Sequence, residues 1–185
     1  MLNMSRANIK FEELFTEKIE RKIKRIDKEG FYGTPLRFQI NRNLKKWISR
    51  YCPENNAEIL EVGCGEGTTV KIFQEIGIKG KYLGIDIKGS PNWANINNTG
   101  QLKVGFMLQD AHSLSLIKNR YNFCISITAF EHFSDDSKVL NELSKVLLND
   151  AVAILIIPSK YSYWLYGKHG YRRYSKKSIA KLAKS

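Results

Sequence analysis

Apolar positions recur with two different periods along this chain, and the change between them falls near residue 57. In residues 8–29, NIKFEELFTEKIERKIKRIDKE, Phe11, Phe15, Ile19, Ile23 and Ile26 recur every three or four residues, which is one face of a helix. Gly30 and Gly33 interrupt that pattern, and a second helix is predicted after Pro35, with Ile40, Leu44, Trp47, Ile48 and Tyr51 on one side. A lysine-flanked stripe either packs on a domain or lies on a membrane surface, and packing is the expectation here.

From residue 58 the apolar runs become short and are separated by glycines and polar turns. They are EILEVG (58–63), KYLGIDI (81–87), KVGFMLQD (103–110), YNFCISIT (121–128) and AVAILIIP (151–158). Several are apolar on both faces, as buried parallel strands are. Helical stretches lie between them, the clearest being SDDSKVLNELSKVLLND, residues 134–150. Ser134 is its predicted N-cap, Asp135 and Asp136 suit the positive end of the helix dipole, and Val139, Leu140, Leu143, Val146 and Leu147 make its buried face. Strand and helix alternating in this way predict an α/β fold with a parallel sheet.

Composition narrows the setting. With 185 residues and 43% apolar content, one globular domain with a buried core is expected, divided as an N-terminal helical extension (1–56) and a main domain (57–185). No apolar run reaches the length of a membrane-spanning helix, and the N-terminus has no signal-peptide core, so a cytoplasmic location is expected. Cys52, Cys64 and Cys124 fit neither a disulfide framework nor a zinc spacing, and no metal site is expected. The net charge of +12 is concentrated at the two ends of the chain, and residues 151–185 contain no acid. Such an end meets nucleic acid, anionic lipid or an acidic substrate, or is a solvated lysine-rich surface.

In a doubly wound sheet, ligands bind outside the carboxyl ends of the strands, and those ends carry the unusual residues here. Gly63, Gly65 and Gly67 follow the first strand, Asp86 ends the second, Asp110 ends the third, and TAFEHF follows the fourth. The glycines let the backbone turn tightly beside a ligand, and a carboxylate at the second strand end suits a ribose diol. Together they point to an adenosine-type cofactor. A dinucleotide fingerprint needs a third glycine at position 68, which is Thr68, and a P-loop needs a lysine that is absent. Glu61, two residues before Gly63, is a poor neighbour for pyrophosphate and a good one for an ammonium group. S-adenosyl-L-methionine carries that ammonium and a sulfonium besides.

ILEVGCGEGTT followed by YLGIDI, LQDAHSL and FCISITAFEHF resembles the class I S-adenosylmethionine-dependent methyltransferases over about residues 57–160. The resemblance implies a Rossmann-like, doubly wound, mostly parallel sheet. It implies that Glu61, Gly63, Cys64, Gly65 and Gly67 surround the methionine part of the cofactor, and that Asp86 holds the ribose with Ile87 against the adenine. Asp110 faces the adenine amino group with the Ala111 backbone beside it, and Thr128 and Ala129 close the methionine end. The family's fourth strand often begins with an aspartate where this chain has Asn122. Its last two, antiparallel strands have no counterpart in the 27 residues after AVAILIIP. The expectation is an incomplete sheet whose open edge invites dimerisation or a completing partner.

Methyl transfer needs proximity and orientation, and sometimes a base for the acceptor proton. His132 is the first choice for that base, with Glu131 and His169 behind it. The [ND]-P-P-[YF] signature of base- and glutamine-directed enzymes is missing, as is the Pro-Cys of cytosine-carbon enzymes. The segment PSKYSYWLYGKHGYRRYS interleaves aromatics with cations, and His169 and Arg172 are its candidate substrate residues. Such a segment grips a sugar or an anionic metabolite, or stacks RNA bases. A small-molecule or glycan acceptor is preferred over RNA. The other alternative is a non-catalytic or partial S-adenosylmethionine-binding protein.

Overall fold

A computed structural model of the chain describes residues 35–98, 101–114, 117, 120–159 and 170–183. The helix expected over 8–29 lies outside them, as does His169. Within them, α1 (Pro35–Tyr51) leads into β1 (Ala57–Val62), α2 (Val70–Ile76), β2 (Gly80–Asp86), β3 (Leu102–Leu108), β4 (Tyr121–Ile127), α3 (Asp136–Val146), β5 (Leu147–Ile156) and α4 (Lys176–Leu182). Two short 3-10 turns, Pro91–Asn95 and Phe130–His132, follow β2 and β4.

The five strands form one sheet in the order β3-β2-β1-β4-β5, with every pairing parallel. This is the α/β parallel sheet that the alternating runs predict, in the Rossmann-like form that the resemblance implies. The chain winds from β1 outward to β3, then returns to place β4 on the other side of β1. The carboxyl ends of β1 and β4 therefore flank the point where strand order reverses.

Alternation along β1 feeds two cores. Ala57 and Ile59 pack with Ile40, Leu44, Trp47 and Ile48 of α1 and with Phe73 of α2. Leu60 and Val62 face the opposite side, with Val139, Leu140, Leu143 and Val146 of α3. The apolar stripe expected on the second helix is thus buried against the sheet, and Tyr51 packs beside it partly covered.

Asn122 joins the starts of β1 and β4. Its side-chain oxygen accepts from the Glu58 backbone N–H at 2.9 Å, and its amide donates to the Asn56 carbonyl at 3.0 Å. An amide does both, whereas an ionised aspartate at this position only accepts.

One boundary differs from expectation. The helix over 134–150 stops at Val146, and Leu147 to Asp150 open β5, with Leu147 paired to Tyr121. No Gly or Pro marks this stop. Its N-cap is Asp135 rather than Ser134: the Asp135 carboxylate accepts from the Lys138 N–H at 2.9 Å. An Asp135→Ala variant is expected to lose about 1 kcal/mol of stability, read as a fall in melting temperature of about 2–4 °C.

Candidate active site

The loop after β1 reverses direction through three left-handed residues, Gly63, Gly65 and Gly67, with φ of 72°, 52° and 75°. Gly63 also marks a close approach of two chain segments. A Cβ there would lie 2.3 Å from the Ala129 Cβ, on the turn after β4. The backbone N–H groups of Gly63 and Cys64 both donate to the Ile85 carbonyl, at 2.9 and 3.1 Å, so the loop leaves the sheet still attached to β2.

Two carboxylates then fasten this loop. Asp86, at the end of β2, accepts from the Gly65 N–H at 2.9 Å through one oxygen and from the Lys88 N–H at 3.0 Å through the other. Glu61 is 2% exposed and accepts from the Thr69 hydroxyl at 2.9 Å and the Tyr82 hydroxyl at 2.5 Å. Thr69 stands at the N-cap position of α2 yet makes no capping hydrogen bond, because its hydroxyl is directed to Glu61. Burial, and the Glu61 carboxylate next to it, hold the Tyr82 hydroxyl well above its ordinary pKa, so it remains a donor.

These elements line one cleft of about 690 Å³ above the carboxyl ends of the strands. Of the sequence-predicted residues, Glu61, Gly63, Cys64, Gly65, Asp86, Ile87, Asp110, Ala111, Thr128 and His132 all lie on it. Gly67 sits behind it, packed so closely that a Cβ would come within 2.6 Å of the Phe106 ring. Ile87 is 71% exposed at the rim. Thr128 holds a left-handed backbone, φ 50°, uncommon for a β-branched residue, while its N–H donates to the Ile156 carbonyl at 2.7 Å. Burial pushes the Cys64 thiol up, Glu61 and Asp86 act in the same direction, and the cleft cysteine stays a neutral thiol.

His132 ends the turn after β4, its side chain 43% exposed, with Nε2 4.0 Å from the buried Glu131 carboxylate. Arg172, expected on the substrate side, is not among the residues that line this cleft. Its guanidinium donates to the Phe133 carbonyl at 3.0 Å and the Ser134 carbonyl at 2.9 Å, and pairs with Asp136 at 3.1 Å. Those contacts draw it off the cleft and leave its neighbour Tyr171, 71% exposed, on the wall beside His132.

Two residues that the sequence reading passed over complete the site. Trp93 donates its indole N–H to the Gly65 carbonyl at 2.8 Å and stacks on Phe106, with 5.1 Å between centroids and 9° between planes. His112 bonds Asp110 on one side and the start of α3 on the other. The signals for them were a lone tryptophan in a polar loop and a histidine two residues from a predicted ligand acid.

A family model described as a methyltransferase domain matches residues 60–155, just over half of the chain. The chain belongs to this methyltransferase-domain family. Such a domain implies S-adenosyl-L-methionine as cofactor. Solved structures with a similar fold include a SAM-dependent methyltransferase from Aquifex aeolicus, 19% identical over 94% of this chain and 86% of that one, with a TM-score of 0.61. A chain of the complex between the Haloferax volcanii Trm112 methyltransferase activator and a methyltransferase is 18% identical over 80% and 69%, TM-score 0.61. The plantazolicin methyltransferase BpumL in complex with SAH is 19% identical over 93% and 66%, TM-score 0.56. At these identities the likeness is one of fold, and this chain spans about two thirds of the plantazolicin enzyme's length. No curated protein matches the sequence. Among the described residues no helix is long and apolar enough to cross a membrane, and no group of three His, Cys, Asp or Glu is placed to hold a metal ion.

Proposed function

We propose that this domain transfers a methyl group from S-adenosyl-L-methionine to a small-molecule or glycan-type acceptor. The observation that carries the reading is the charge of the cleft: Glu61, Glu66, Asp86 and Asp110 line it, and among the described residues no lysine or arginine does. A cofactor bearing an ammonium and a sulfonium fits such a lining, and an acceptor with a phosphate backbone does not. RNA is disfavoured on the same ground.

Within this reading the donor set matches the cofactor part by part. Each oxygen of Asp86 already holds one loop N–H and keeps a second lone pair, which suits a ribose diol. Glu61, anchored by Thr69 and Tyr82, sets a fixed negative charge for the ammonium. Gly63, Cys64 and Gly65 bring backbone to the methionine part, with Thr128 closing that end. Ile87 covers the adenine, and Asp110 and the Ala111 backbone face its amino edge. Gly67 shapes the turn from behind.

When bound, S-adenosyl-L-methionine supplies an electrophilic methyl group on a positively charged sulfur. The work of the chain is to orient the acceptor and take its proton. His132 is the base: its imidazole opens on the cleft and accepts the proton of a hydroxyl or amine. The buried Glu131 carboxylate lies 4.0 Å from its Nε2, close enough for a Coulomb attraction. Tyr171 gives the acceptor an exposed aromatic face on the same wall.

Calorimetric titration with S-adenosylmethionine is the test. Wild type is expected to bind and Asp86→Ala to bind about 30-fold more weakly, the loss of hydrogen bonds to a charged acceptor. Absence of binding by wild type would defeat the assignment. A radiolabelled methyl screen across metabolite, sugar-nucleotide and RNA pools then identifies the acceptor. Binding without transfer to any pool would make the chain a non-catalytic cofactor binder, and label in RNA would overturn the acceptor class.

A further inference from the structure

We infer that His112 is the positioning residue for purine recognition: it fixes the Asp110 carboxylate so that the cleft selects a 6-aminopurine over a 6-oxopurine. The inference rests on the proposed reading, in which Asp110 faces the adenine amino edge.

The side chain of Asp110 is 53% exposed, and an exposed aspartate ordinarily rotates. Here a single oxygen, Oδ1, takes both the backbone N–H of His112 at 2.9 Å and its ring Nδ1 at 2.7 Å. That double contact sets the plane of the carboxylate and leaves Oδ2 for the cleft. The hydrogen bonds from His112, backbone first, hold the Asp110 carboxyl below its ordinary range, so at neutral pH it is ionised and only accepts. An ionised Oδ2 receives an exocyclic amine well. It repels the carbonyl oxygen that a 6-oxopurine presents at the same place.

The opposite side of the ring explains why the arrangement is rigid. Nε2 accepts from the Asp135 backbone N–H at 3.2 Å and meets the Ser134 hydroxyl at 3.3 Å. An acceptor Nε2 carries no proton, so Nδ1 carries it and donates to Asp110. The ring stands edge-on to Phe133, with centroids 5.8 Å apart and planes at 83°. The start of α3 thus selects the tautomer of His112, and the tautomer selects the orientation of Asp110.

Two variants separate this role from mere support of the fold. His112→Asn has a short amide that donates to Asp110 in place of Nδ1. His112→Gln has a longer one that accepts from Asp135 in place of Nε2 and leaves Asp110 with the backbone N–H of residue 112 alone. Both are titrated calorimetrically with S-adenosylhomocysteine and with its 6-oxo analogue, S-inosylhomocysteine. Wild type is expected to prefer the 6-amino ligand, His112→Asn to keep most of that preference, and His112→Gln to lose about tenfold of it, as for one hydrogen bond to a charged group. A purely structural His112 would weaken both ligands together and leave their ratio unchanged in both variants, which overturns the inference. Equal binding of the two ligands by wild type overturns it as well, while the cofactor reading stands. Failure of wild type to bind either ligand would sink the cofactor reading itself.

Discussion

A Glu61→Gln variant is expected to fold as the wild type does and to bind S-adenosylmethionine about 100-fold more weakly. The separation of fold from affinity follows from how Glu61 is held. Its two oxygens accept from Thr69 and Tyr82 in a site closed to water. Glutamine keeps an oxygen for the Thr69 hydroxyl and turns its amide toward the Tyr82 oxygen, which then accepts. Each buried partner keeps one hydrogen bond, the Tyr82 proton alone losing its acceptor, and the change in stability is about 1–2 kcal/mol. What disappears is the charge. A fixed carboxylate beside a cationic ligand, shielded from water, contributes about 3 kcal/mol, which is the 100-fold. Glu61→Ala tests the other half, because it strands two buried hydroxyls and should lower stability by about 2–5 kcal/mol. Paired calorimetry and thermal unfolding measure both. Binding by Glu61→Gln within about threefold of wild type would make Glu61 an anchor of the fold alone.

The same double use runs through the cleft. Asp86 caps the glycine loop while facing outward, Asp110 is bound by His112 on one oxygen only, and Trp93 stacks on Phe106 while holding the Gly65 carbonyl. The carboxylates of Asp86 and Asp110 are each fixed by only part of their hydrogen-bonding capacity, and both line the cleft. A site built in this way needs no rearrangement to receive a charged ligand.

How much of this was legible depends on how far apart in the chain the causes lie. Buried parallel strands are continuous apolar runs, so the observed strands begin and end within a few residues of the runs, and the acids at their ends fall where the runs stop. The glycine loop and Glu61 were readable because the whole device spans seven residues. The exchange of helix for strand at Leu147 was not, because LLND continues the apolar pattern and only pairing with Tyr121 ends the helix. The fold contacts of Arg172 were hidden for a related reason. Beside aromatic residues this arginine reads as a free cation, whereas its partners are the carbonyls of Phe133 and Ser134, 39 and 38 residues away. His112 was adjacent to a predicted ligand residue, but its second partner, Asp135, comes from the next helix.

Gly63→Ala is expected to cost about 3 kcal/mol and so lower the melting temperature by about 6–12 °C. It should also weaken S-adenosylmethionine about 100-fold. About 1 kcal/mol is the price of a left-handed backbone with a side chain, given φ of 72°. The remainder is steric: the new methyl would sit 2.3 Å from the Ala129 Cβ, and relief requires the two segments to part by more than an ångström. Those segments are the loop after β1 and the turn after β4, which face each other across the cleft, and Thr128 beside Ala129 is already in a strained conformation. The double variant Gly63→Ala/Ala129→Gly separates the contributions. With the Ala129 methyl removed, the nearest remaining atom is the residue-129 Cα at 3.8 Å, an ordinary contact. The second substitution should therefore restore most of the lost stability and return the affinity to within about tenfold of wild type, leaving the backbone term. A double variant no more stable than Gly63→Ala would show that backbone conformation, and not the contact between the two walls, fixes glycine at this position.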